Sequence, residues 1–517
     1  MTEKPAYYIT TPIYYVNDVP HIGHAYTTLA CDVMARFKRL DGYDVMFLTG
    51  NDEHGQKIER AAEKAGVPPL EFCDKVSARF QELAGAMNYS HDQFIRTTEE
   101  RHKKAVQHLW QVLEEKGYIY QDTYAGWYSV RDEAFYAEKE LTEGEGGQKL
   151  APTGAPVEWV EEPSFFFKLS AFEEQLLALY DNGEEFVMPK SRLNEVRSFV
   201  KGGLEDLSIS RSSFTWGVPV PGHEGHVMYV WIDALTNYLT AIGYPDVDTA
   251  EYQAYWPADL HMVGKDILRF HAVYWPAFLM AADLPLPKRV FAHGWWTNEG
   301  QKISKSLGNV IDPFELMDTY GLDPVRFFLL REVPFGNDGD FSRKSFVLTC
   351  NANLAKGLGN LAQRTLSMVF KNCDGQIPTP SEFTSEDSDM LASVDNLIEL
   401  VRGHMDRQEF HAALEAVFAQ AAAGDKYISV QEPWKLKKTD PERMKTVLYV
   451  LADVIRQLAI LIQPIMPESG AKFLDMLKVE ERSFAALGED HRVAPGTPID
   501  KPEGVFPQFE LPEEGGE

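Results

Sequence analysis

The spacing of apolar residues predicts alternating strands and helices over the first 55 residues. Residues 6–10 (AYYIT) form an apolar run of strand length. The next segment, 21–40, repeats apolar residues at helical spacing, through Ile22, Leu29, Val33 and Phe37. Residues 44–50 (DVMFLTG) are almost continuously apolar, which is typical of a buried parallel strand. The pattern therefore predicts a β-α-β unit. It places NDEHG, residues 51–55, at the sheet edge where open α/β sheets bind ligands.

Three later regions differ in pattern. Residues 118–225 are rich in aromatic, Gly, Pro and Glu residues, and we interpret them as an insertion in the sheet domain. The α/β pattern returns in 226–300, and long amphipathic segments between 346 and 485 predict a helical domain. Residues 486–517 have no helical period. We expect an extended tail there, anchored by Phe506 and Phe509.

Length and composition indicate a soluble protein of several domains. A chain of 517 residues is too long for one core, and its 44% apolar and 25% charged residues are ordinary for globular proteins. The first residues do not resemble a signal peptide, and no run of about 18 apolar residues predicts a membrane span. The four cysteines include no Cys-x-x-Cys pair, which favours reduced thiols and a cytoplasmic protein.

The charge distribution qualifies the net charge. A net charge of −28 argues against a nucleic-acid partner when taken alone. Residues 341–373, however, contain no acidic residue and five basic ones: Arg343, Lys344, Lys356, Arg364 and Lys371. An acidic protein can therefore still present a local cationic face.

The stretch 21–24, His-Ile-Gly-His, stands where the first strand gives way to the helix. A helix N-terminus has free N–H groups and partial positive charge, which suits phosphate. Gly23 lets a ligand lie against the backbone, and His21 and His24 can each donate a hydrogen bond to a phosphoryl oxygen. The alternative is a turn with two incidental histidines, but the four-residue string is rare by chance.

The second chemical signal is GQKISKSLGN, residues 300–309. A small polar loop with two lysines, Lys302 and Lys305, can close over a triphosphate and stabilise charge that develops on leaving pyrophosphate. A solvated basic loop is the alternative. The two-lysine segment follows His-Ile-Gly-His on an α/β pattern, and this order favours a nucleotide site, although the P-loop motif is absent.

Together these residues resemble the two signatures of class I aminoacyl-tRNA synthetases, and the flanking sequence resembles the methionyl-tRNA synthetase family. The matching segments lie between residue 8 and about residue 438, and are TTPIYYVNDVPHIGH, FLTGNDEHGQKI, YVWIDALTNY, HMVGKDILRFHAVYWP, AHGWWTNEGQKISKSLGN and EPWKLKK. The match is weakest in the insertion.

The resemblance implies a mixed α/β fold with a Rossmann-like parallel-sheet catalytic domain, a connective insertion and an α-helical bundle that binds the anticodon. The implied domains are the first catalytic half (1–117), the insertion (118–225), the second catalytic half (226–300), the lysine loop and stem-contact region (301–345), the anticodon-binding domain (346–485) and the tail (486–517).

The resemblance also implies the reaction of a methionine–tRNA ligase. ATP, accompanied by Mg²⁺, and L-methionine form methionyl-adenylate and pyrophosphate. The methionyl group then passes to the 3′-terminal adenosine of tRNA(Met), for initiation and elongation of translation. His21, His24, Lys302 and Lys305 match the catalytic motifs. Gly23, Gly264, Asp266 and Lys305 match positions that hold ATP. No protein nucleophile is needed, because the chemistry is positioning and charge stabilisation.

The family match also assigns an amino-acid pocket. Asp52 matches the carboxylate that binds the substrate ammonium group. The other implied pocket residues are Ile13, Tyr15, Trp231, Ala234, Tyr238, Ile267, His271 and Trp275. The sets 231/234/238 and 267/271/275 each fall on one helical face, and without the match we would interpret them as core. Aromatic walls suit a thioether, because sulfur packs well on rings.

The helical domain is implied to recognise tRNA. Asn360 and Arg364 match the family's anticodon contacts, and Trp434 matches the aromatic residue on which an anticodon base stacks. Leu354, Leu358 and Leu361 form a separate apolar stripe. Without the match, an ordinary charged helix surface would be the simpler interpretation.

The chain departs from the family in its insertion. Many relatives bind zinc there through Cys-x-x-Cys pairs, but Ser129, Asp132, Leu150 and Thr153 stand near those positions here. No thiolate remains, so we predict an insertion that folds without structural zinc. The appended domain that dimerises longer relatives is also missing, and we expect a monomer.

Two alternatives stay open at this point. A different class I synthetase is disfavoured, because the editing enzymes are much longer and the cysteine enzyme needs a zinc pocket. A catalytically silent relative that only binds tRNA is disfavoured by the intact His21, His24, Lys302, Lys305 and Asp52.

Overall fold

The computed structural model describes residues 4–16, 19–132, 134–183, 185–303 and 309–511, apart from the side chains of Glu145 and Lys302. Its contacts divide the chain into two compact units. The sheet unit comprises Ala6–Pro20 and Val45–His293. The helical unit comprises Met1–Pro5, His21–Asp44 and Gly294–Glu517.

The strands alternate with the helices along the chain. The strands are β1 Ala6–Thr10, β2 Tyr14–Tyr15, β3 Asp44–Asp52, β4 Gln93–Arg96, β5 Ile119–Ser129, β6 Ala134–Tyr136, β7 Thr142–Glu143, β8 Lys149–Leu150, β9 Glu158–Phe167, β10 Val187–Met188, β11 Leu207–Ser208, β12 Ser210–Arg211, β13 Val227–Met228, β14 Leu260–Gly264, β15 Val290–His293, β16 Trp296–Asn298, β17 Gln301–Lys302 and β18 Gly339–Phe341.

The α-helices of the sheet unit lie between these strands, and most α-helices of the helical unit follow them. They are α1 Ile22–Leu40, α2 Gln56–Ala65, α3 Pro69–Ala86, α4 Glu100–Glu115, α5 Glu173–Asn182, α6 Lys190–Lys201, α7 Val230–Leu235, α8 Asn237–Thr240, α9 Ala250–Tyr255, α10 Trp275–Ala281, α11 Pro313–Tyr320, α12 Leu322–Arg331, α13 Arg343–Cys350, α14 Asn360–Asn372, α15 Ser385–Asp395, α16 Leu397–Asp406, α17 Phe410–Gln431, α18 Pro433–Thr439, α19 Pro441–Ile462 and α20 Pro467–Met476.

The sheet unit is built on a seven-stranded sheet of order β10-β15-β14-β1-β3-β2, with β4 paired to β3. Pairs β1–β14, β14–β15, β2–β3 and β3–β4 are parallel. Every residue of β3 after Asp44 is buried, which confirms the buried parallel strand expected from its apolar run. The strand order reverses beside β1, and α/β sheets bind ligands at the carboxyl ends of strands next to such a reversal.

The insertion has its own antiparallel sheet, β11-β9-β5-β6, whose centre is the long antiparallel pair of β5 and β9. Short β7 and β8 pair near its tip. Residues 187–188 also fall inside the range 118–225, but they form β10 and pair in parallel with β15 of the main sheet. The chain therefore returns to the main sheet before residue 225.

The helical unit confirms the predicted helices after residue 345. The buried guanidinium of Arg326 on α12 links separate segments of the helical unit. It donates to the Asp32 carboxylate of α1 across 2.6 Å and to the backbone carbonyls of Pro464 and Ile465 across 2.9 and 2.7 Å. A buried cation needs such a full set of acceptors, so α1, α12 and the turn before α20 are held in one arrangement.

The segment after α20 is anchored as predicted. The Phe506 ring packs edge-on against Phe473, with 5.8 Å between centroids. The backbone of Phe509 exchanges two hydrogen bonds with the Asn351 amide, at 2.8 and 2.9 Å. Among the described residues, no helix is long and apolar enough to span a membrane.

Candidate active site and anticodon surface

The two histidines of residues 21–24 cap helix α1 reciprocally. The backbone N–H of Gly23 donates to Nδ1 of His21, and the backbone N–H of His21 donates to Nδ1 of His24, each across 3.1 Å. A ring nitrogen that accepts carries no proton, so both neutral rings carry theirs on Nε2. The start of the helix therefore fixes two imidazole rings, whose centroids are 3.9 Å apart, as Nε2–H donors.

Two local effects support this arrangement. Burial, with a contribution from nearby His21, holds the pKa of His24 well below its usual value, so the ring is neutral at pH 7. A Cβ on residue 23 would lie 2.9 Å from Cε1 of His21. Any larger residue here would press on the folded-back His21 ring, and glycine also leaves the backbone open to a ligand.

The lysine loop begins on a small sheet of the helical unit. Thr297 of β16 pairs with Lys302 of β17, and β18 pairs with the other side of β16. The backbone of Lys302 is therefore placed by this sheet. Its side chain and the whole of Lys305 lie outside the described residues.

Gly264 ends β14, and Asp266 follows it. A Cβ on Gly264 would lie 2.5 Å from Oδ1 of Asp266, so only glycine lets this carboxylate turn back over the strand end. The side chain of Asp266 is exposed. An exposed carboxylate at the carboxyl end of a central parallel strand is placed where a ribose hydroxyl can donate to it.

His271 is central to the predicted amino-acid pocket. Its Nδ1–H donates to the Ile267 carbonyl across 2.9 Å, and the hydroxyl of Tyr238 donates to its Nε2 across 2.8 Å. Burial lowers the pKa of His271 to about 4, so the ring is neutral at physiological pH. The ring is held in one tautomer by these two contacts.

Aromatic rings surround His271 within the sheet unit. Its ring centroid is 6.2 Å from that of Trp231 and 5.8 Å from that of Tyr238. Trp275 is 6.0 Å from Tyr238. The structure thus brings four of the predicted pocket residues together.

The backbone that carries His271 differs from the expected α-helix. Residues 265–267 form a 3-10 turn, and residues 270–274 form a π-helix in which the Trp275 amide donates to the Phe270 carbonyl five residues back. The assumption of regular helical spacing through 267, 271 and 275 was therefore wrong. A local contact accounts for the departure from α-helical geometry, because the His271 ring donates a hydrogen bond to the Ile267 carbonyl. Short π-helical segments often occur at functional sites.

The other predicted pocket residues lie at the adjoining strand ends and on α7. Tyr15 of β2 stands opposite Asp52 at the end of β3. Asp52 is 6% exposed and Ala234 is buried. Ile13, Tyr15 and Ile267 are partly buried against the same core cluster as Tyr238 and Trp275.

The predicted anticodon residues lie on two helices of the helical unit. Asn360 begins α14, and Arg364 follows one turn later. The Arg364 guanidinium lies over the Trp434 ring of α18, with 5.5 Å to its centroid, and donates to Asp425 across 3.0 Å. Trp434 remains 42% exposed. The stripe of Leu354, Leu358 and Leu361 is buried, as expected.

The insertion positions that resemble zinc-ligand sites hold a polar network instead. Arg131 donates to the backbone and hydroxyl oxygens of Thr153, both across 2.9 Å, and the Thr153 hydroxyl donates to Asp132. The Tyr136 hydroxyl also donates to Asp132, across 3.1 Å. The side chains of this network do not fit a zinc site, because the guanidinium is a cation and the network contains no thiolate ligand. Among the described residues, no group of three or more His, Cys, Asp or Glu side chains could hold a metal ion.

Sequence reasoning missed a buried array of His54, His102 and Asp233. The Asp233 carboxylate accepts from Nδ1 of His54 across 2.6 Å and from Nε2 of His102 across 2.8 Å. All three side chains are buried. Only the position of His54, two residues after Asp52, could have drawn attention to it.

Comparison with known families matches nearly the whole chain. The model of class I tRNA synthetases of the methionine type, "tRNA synthetases class I (M)", matches residues 7–366. The model of the anticodon binding domain of methionyl tRNA ligase matches residues 377–513.

Individual proteins are similar over their full length. A methionine–tRNA ligase of Rhizobium meliloti is 55% identical, with 99% of this chain and 100% of the relative covered. One of Mycobacterium tuberculosis is 54% identical, with 99% of each covered. The structure of Mycobacterium tuberculosis methionyl-tRNA synthetase in complex with methionyl-adenylate superposes with a TM-score of 0.95 at 55% identity, covering 97% of this chain and 100% of that one.

Proposed function

The chain belongs to the methionyl-tRNA synthetase family of class I aminoacyl-tRNA synthetases, and we propose that it joins L-methionine to tRNA(Met) at the expense of ATP. In the first step a methionine carboxylate oxygen bonds to the α-phosphorus of ATP, and pyrophosphate leaves with the electron pair of the broken bond. In the second, a ribose hydroxyl of the terminal adenosine attacks the methionyl carbonyl, and AMP leaves.

The observation that carries the proposal is the pocket around His271. Its neutral ring accepts a hydrogen bond from the Tyr238 hydroxyl across 2.8 Å, and its centroid lies 6.2 Å from that of Trp231 and 5.8 Å from that of Tyr238. A thioether is polarizable and weakly accepting, and it packs well against rings. The buried Asp52 carboxylate at the end of β3 supplies the opposite charge for the substrate ammonium group.

The ATP half of the reaction is assigned to two motifs and one strand end. The Nε2–H groups of His21 and His24 donate to the phosphate oxygens without adding full charge. Lys302 and Lys305 meet the charge that builds on pyrophosphate. Gly264 and Asp266 hold the ribose. Mg²⁺ accompanies ATP and neutralises phosphate charge when bound. No side chain acts as a covalent nucleophile.

The tRNA is assigned to the helical unit. Asn360, Arg364 and Trp434 recognise the anticodon, and the basic residues between 341 and 373 attract its backbone despite the net charge of −28. We further propose a cytoplasmic monomer whose insertion needs no zinc. The absence of thiolates near the Arg131–Thr153 contact supports the last point.

The decisive experiment is amino-acid-dependent ATP–pyrophosphate exchange with each of the twenty amino acids. Exchange with methionine alone, followed by methionylation of tRNA(Met), is the expected result. Exchange with another amino acid would point to a different class I synthetase. No exchange with any amino acid would overturn the proposal in favour of a relative that only binds tRNA.

A further inference from the structure

The His54–Asp233–His102 array joins four separate elements of the sheet unit. His54 lies in the turn after β3, His102 on α4 and Asp233 on α7. Nδ1 of His102 also lies 3.0 Å from the hydroxyl of Thr240 on α8. The array is therefore a buried crossing point between the end of the central strand and three helices.

The negative charge of Asp233 restricts the geometry of the contacts in this array. Burial would raise the pKa of Asp233, but nearby His54 and His102 lower it to about 2, so the carboxylate stays ionised. A buried carboxylate that loses a donor is strongly destabilised, and charge-assisted hydrogen bonds have narrow geometry. Displacement of α7 relative to β3 would therefore break the hydrogen bonds to Asp233, whereas apolar contacts would tolerate the same displacement.

The turn after β3 is fixed on its other side as well. The buried Glu53 carboxylate accepts from Arg96 across 2.6 Å and from Thr98 across 2.5 Å. The indole of Trp216 donates to the Glu53 carbonyl across 2.6 Å, and its ring meets that of His54 edge-on at 5.5 Å. The position of His54 is thus set independently of Asp233.

Two predicted walls of the amino-acid pocket lie next to the array in the chain. Asp52 precedes His54 by two residues, and Trp231 and Ala234 flank Asp233 on α7. We propose that the His54–Asp233–His102 array is a positioning element that sets the separation of Asp52 from the Trp231–Ala234 wall, and so selects the length of the amino-acid side chain. This inference rests on the proposed methionine-activating function.

The test compares His54→Ala with His54→Asn in ATP–pyrophosphate exchange. The asparagine amide can donate from roughly the place of Nδ1, whereas alanine cannot. We expect His54→Ala to raise the KM for methionine by about tenfold or more, because small displacements at a site are costly. The KM for ATP should stay unchanged, His54→Asn should restore most of the loss, and His54→Ala should favour ethionine, one methylene longer, relative to methionine.

The controls separate positioning from damage. His223→Ala removes a histidine that faces Glu114 across 3.2 Å and belongs neither to the array nor to the predicted pocket residues, and it should leave both KM values unchanged. If His54→Ala does not fold, Thr240→Val tests the same array by removing only the hydroxyl beside His102. An unchanged methionine KM in folded variants would overturn the inference. Equal rises in both KM values without rescue by asparagine would overturn it too. Failure of the wild-type protein to exchange with methionine would instead overturn the proposed function.

Discussion

Arg364 lies against Trp434 on the helical unit, with its guanidinium carbon 5.5 Å from the ring centroid. The two residues come from α14 and α18, and Asp425 of α17 accepts a hydrogen bond from the same guanidinium across 3.0 Å. Ion pairs that are about one-third exposed contribute little stability. The contact therefore matters chiefly because it orients a charged group and an exposed ring side by side, which is an arrangement suited to a nucleic-acid base.

Removal of this ring should weaken tRNA binding alone. We expect Trp434→Ala to raise the KM for tRNA(Met) by roughly 5- to 150-fold, the equivalent of about 1–3 kcal/mol for one stacked base. ATP–pyrophosphate exchange without tRNA should not change, because none of the residues assigned to ATP or methionine lies on α18. Leu400→Ala, at a residue that is also exposed there, is the control. A normal tRNA KM in Trp434→Ala would contradict the assigned role.

The buried His271 predicts a pH dependence of stability. The ring titrates near pH 6.5 in the unfolded chain, but burial lowers its folded pKa to about 4. Between these values the unfolded chain binds more protons, so this contribution is complete above about pH 6.5 and is lost as the pH falls toward 4. From pH 7.5 to pH 5 the loss is about 2 kcal/mol.

Denaturant unfolding of the wild type and of His271→Leu at pH 7.5 and pH 5 measures this contribution. The wild type should lose more stability on acidification than the variant does. Parallel losses would show that His271 is not desolvated in the folded protein.

Sequence patterns predicted those parts of the molecule that depend on neighbouring residues. The apolar run of β3 and the helical period of α1 each act within a few residues, and both elements formed where expected. The histidine motif was also visible, but its reciprocal capping was not, because histidine is not among the residues that usually cap helices.

Features that depend on distant contacts could not be predicted. The π-helix that contains His271 accompanies a hydrogen bond from its ring to the Ile267 carbonyl, which periodicity does not encode. The array around Asp233 joins residues from three remote segments, and none of its histidines has a distinctive spacing. The roles assigned to the individual site residues stay predictions.

The insertion should be stable without metal. Arg131, Asp132 and Thr153 form hydrogen bonds to one another near the positions that match zinc-ligand sites, so removal of zinc by a chelator, with Mg²⁺ kept in excess for ATP, should change neither the exchange rate nor thermal unfolding. Elemental analysis should find no stoichiometric zinc. Zinc bound at one equivalent per chain, or activity lost on chelation and restored by zinc, would contradict this prediction.

Loss of the Thr153 hydroxyl should loosen the tip of the insertion. Thr153→Val keeps the shape of the side chain but removes a donor to Asp132 and an acceptor from Arg131. Each lost hydrogen bond is worth about 1 kcal/mol. We expect faster limited proteolysis between β5 and β9, measured against Thr142→Val, whose side chain is exposed on β7. Equal proteolysis of the two variants would show that the network does not stabilise the tip.

Lys305 should act on the chemical step of adenylation rather than on methionine binding. A lysine ammonium group can meet charge that develops only as pyrophosphate leaves, and such transition-state contacts change the rate more than the ground-state affinity. We expect Lys305→Ala to lower the single-turnover rate constant of methionyl-adenylate formation by about 10²-fold or more. The dissociation constant of methionine should stay near the wild-type value, because Asp52 and the rings around His271 are unchanged. Lys472→Ala removes an exposed lysine of α20 and should leave the rate constant unaltered. An unchanged rate constant in Lys305→Ala would rule out this role for the lysine, whereas a loss confined to methionine affinity would assign it to substrate binding instead.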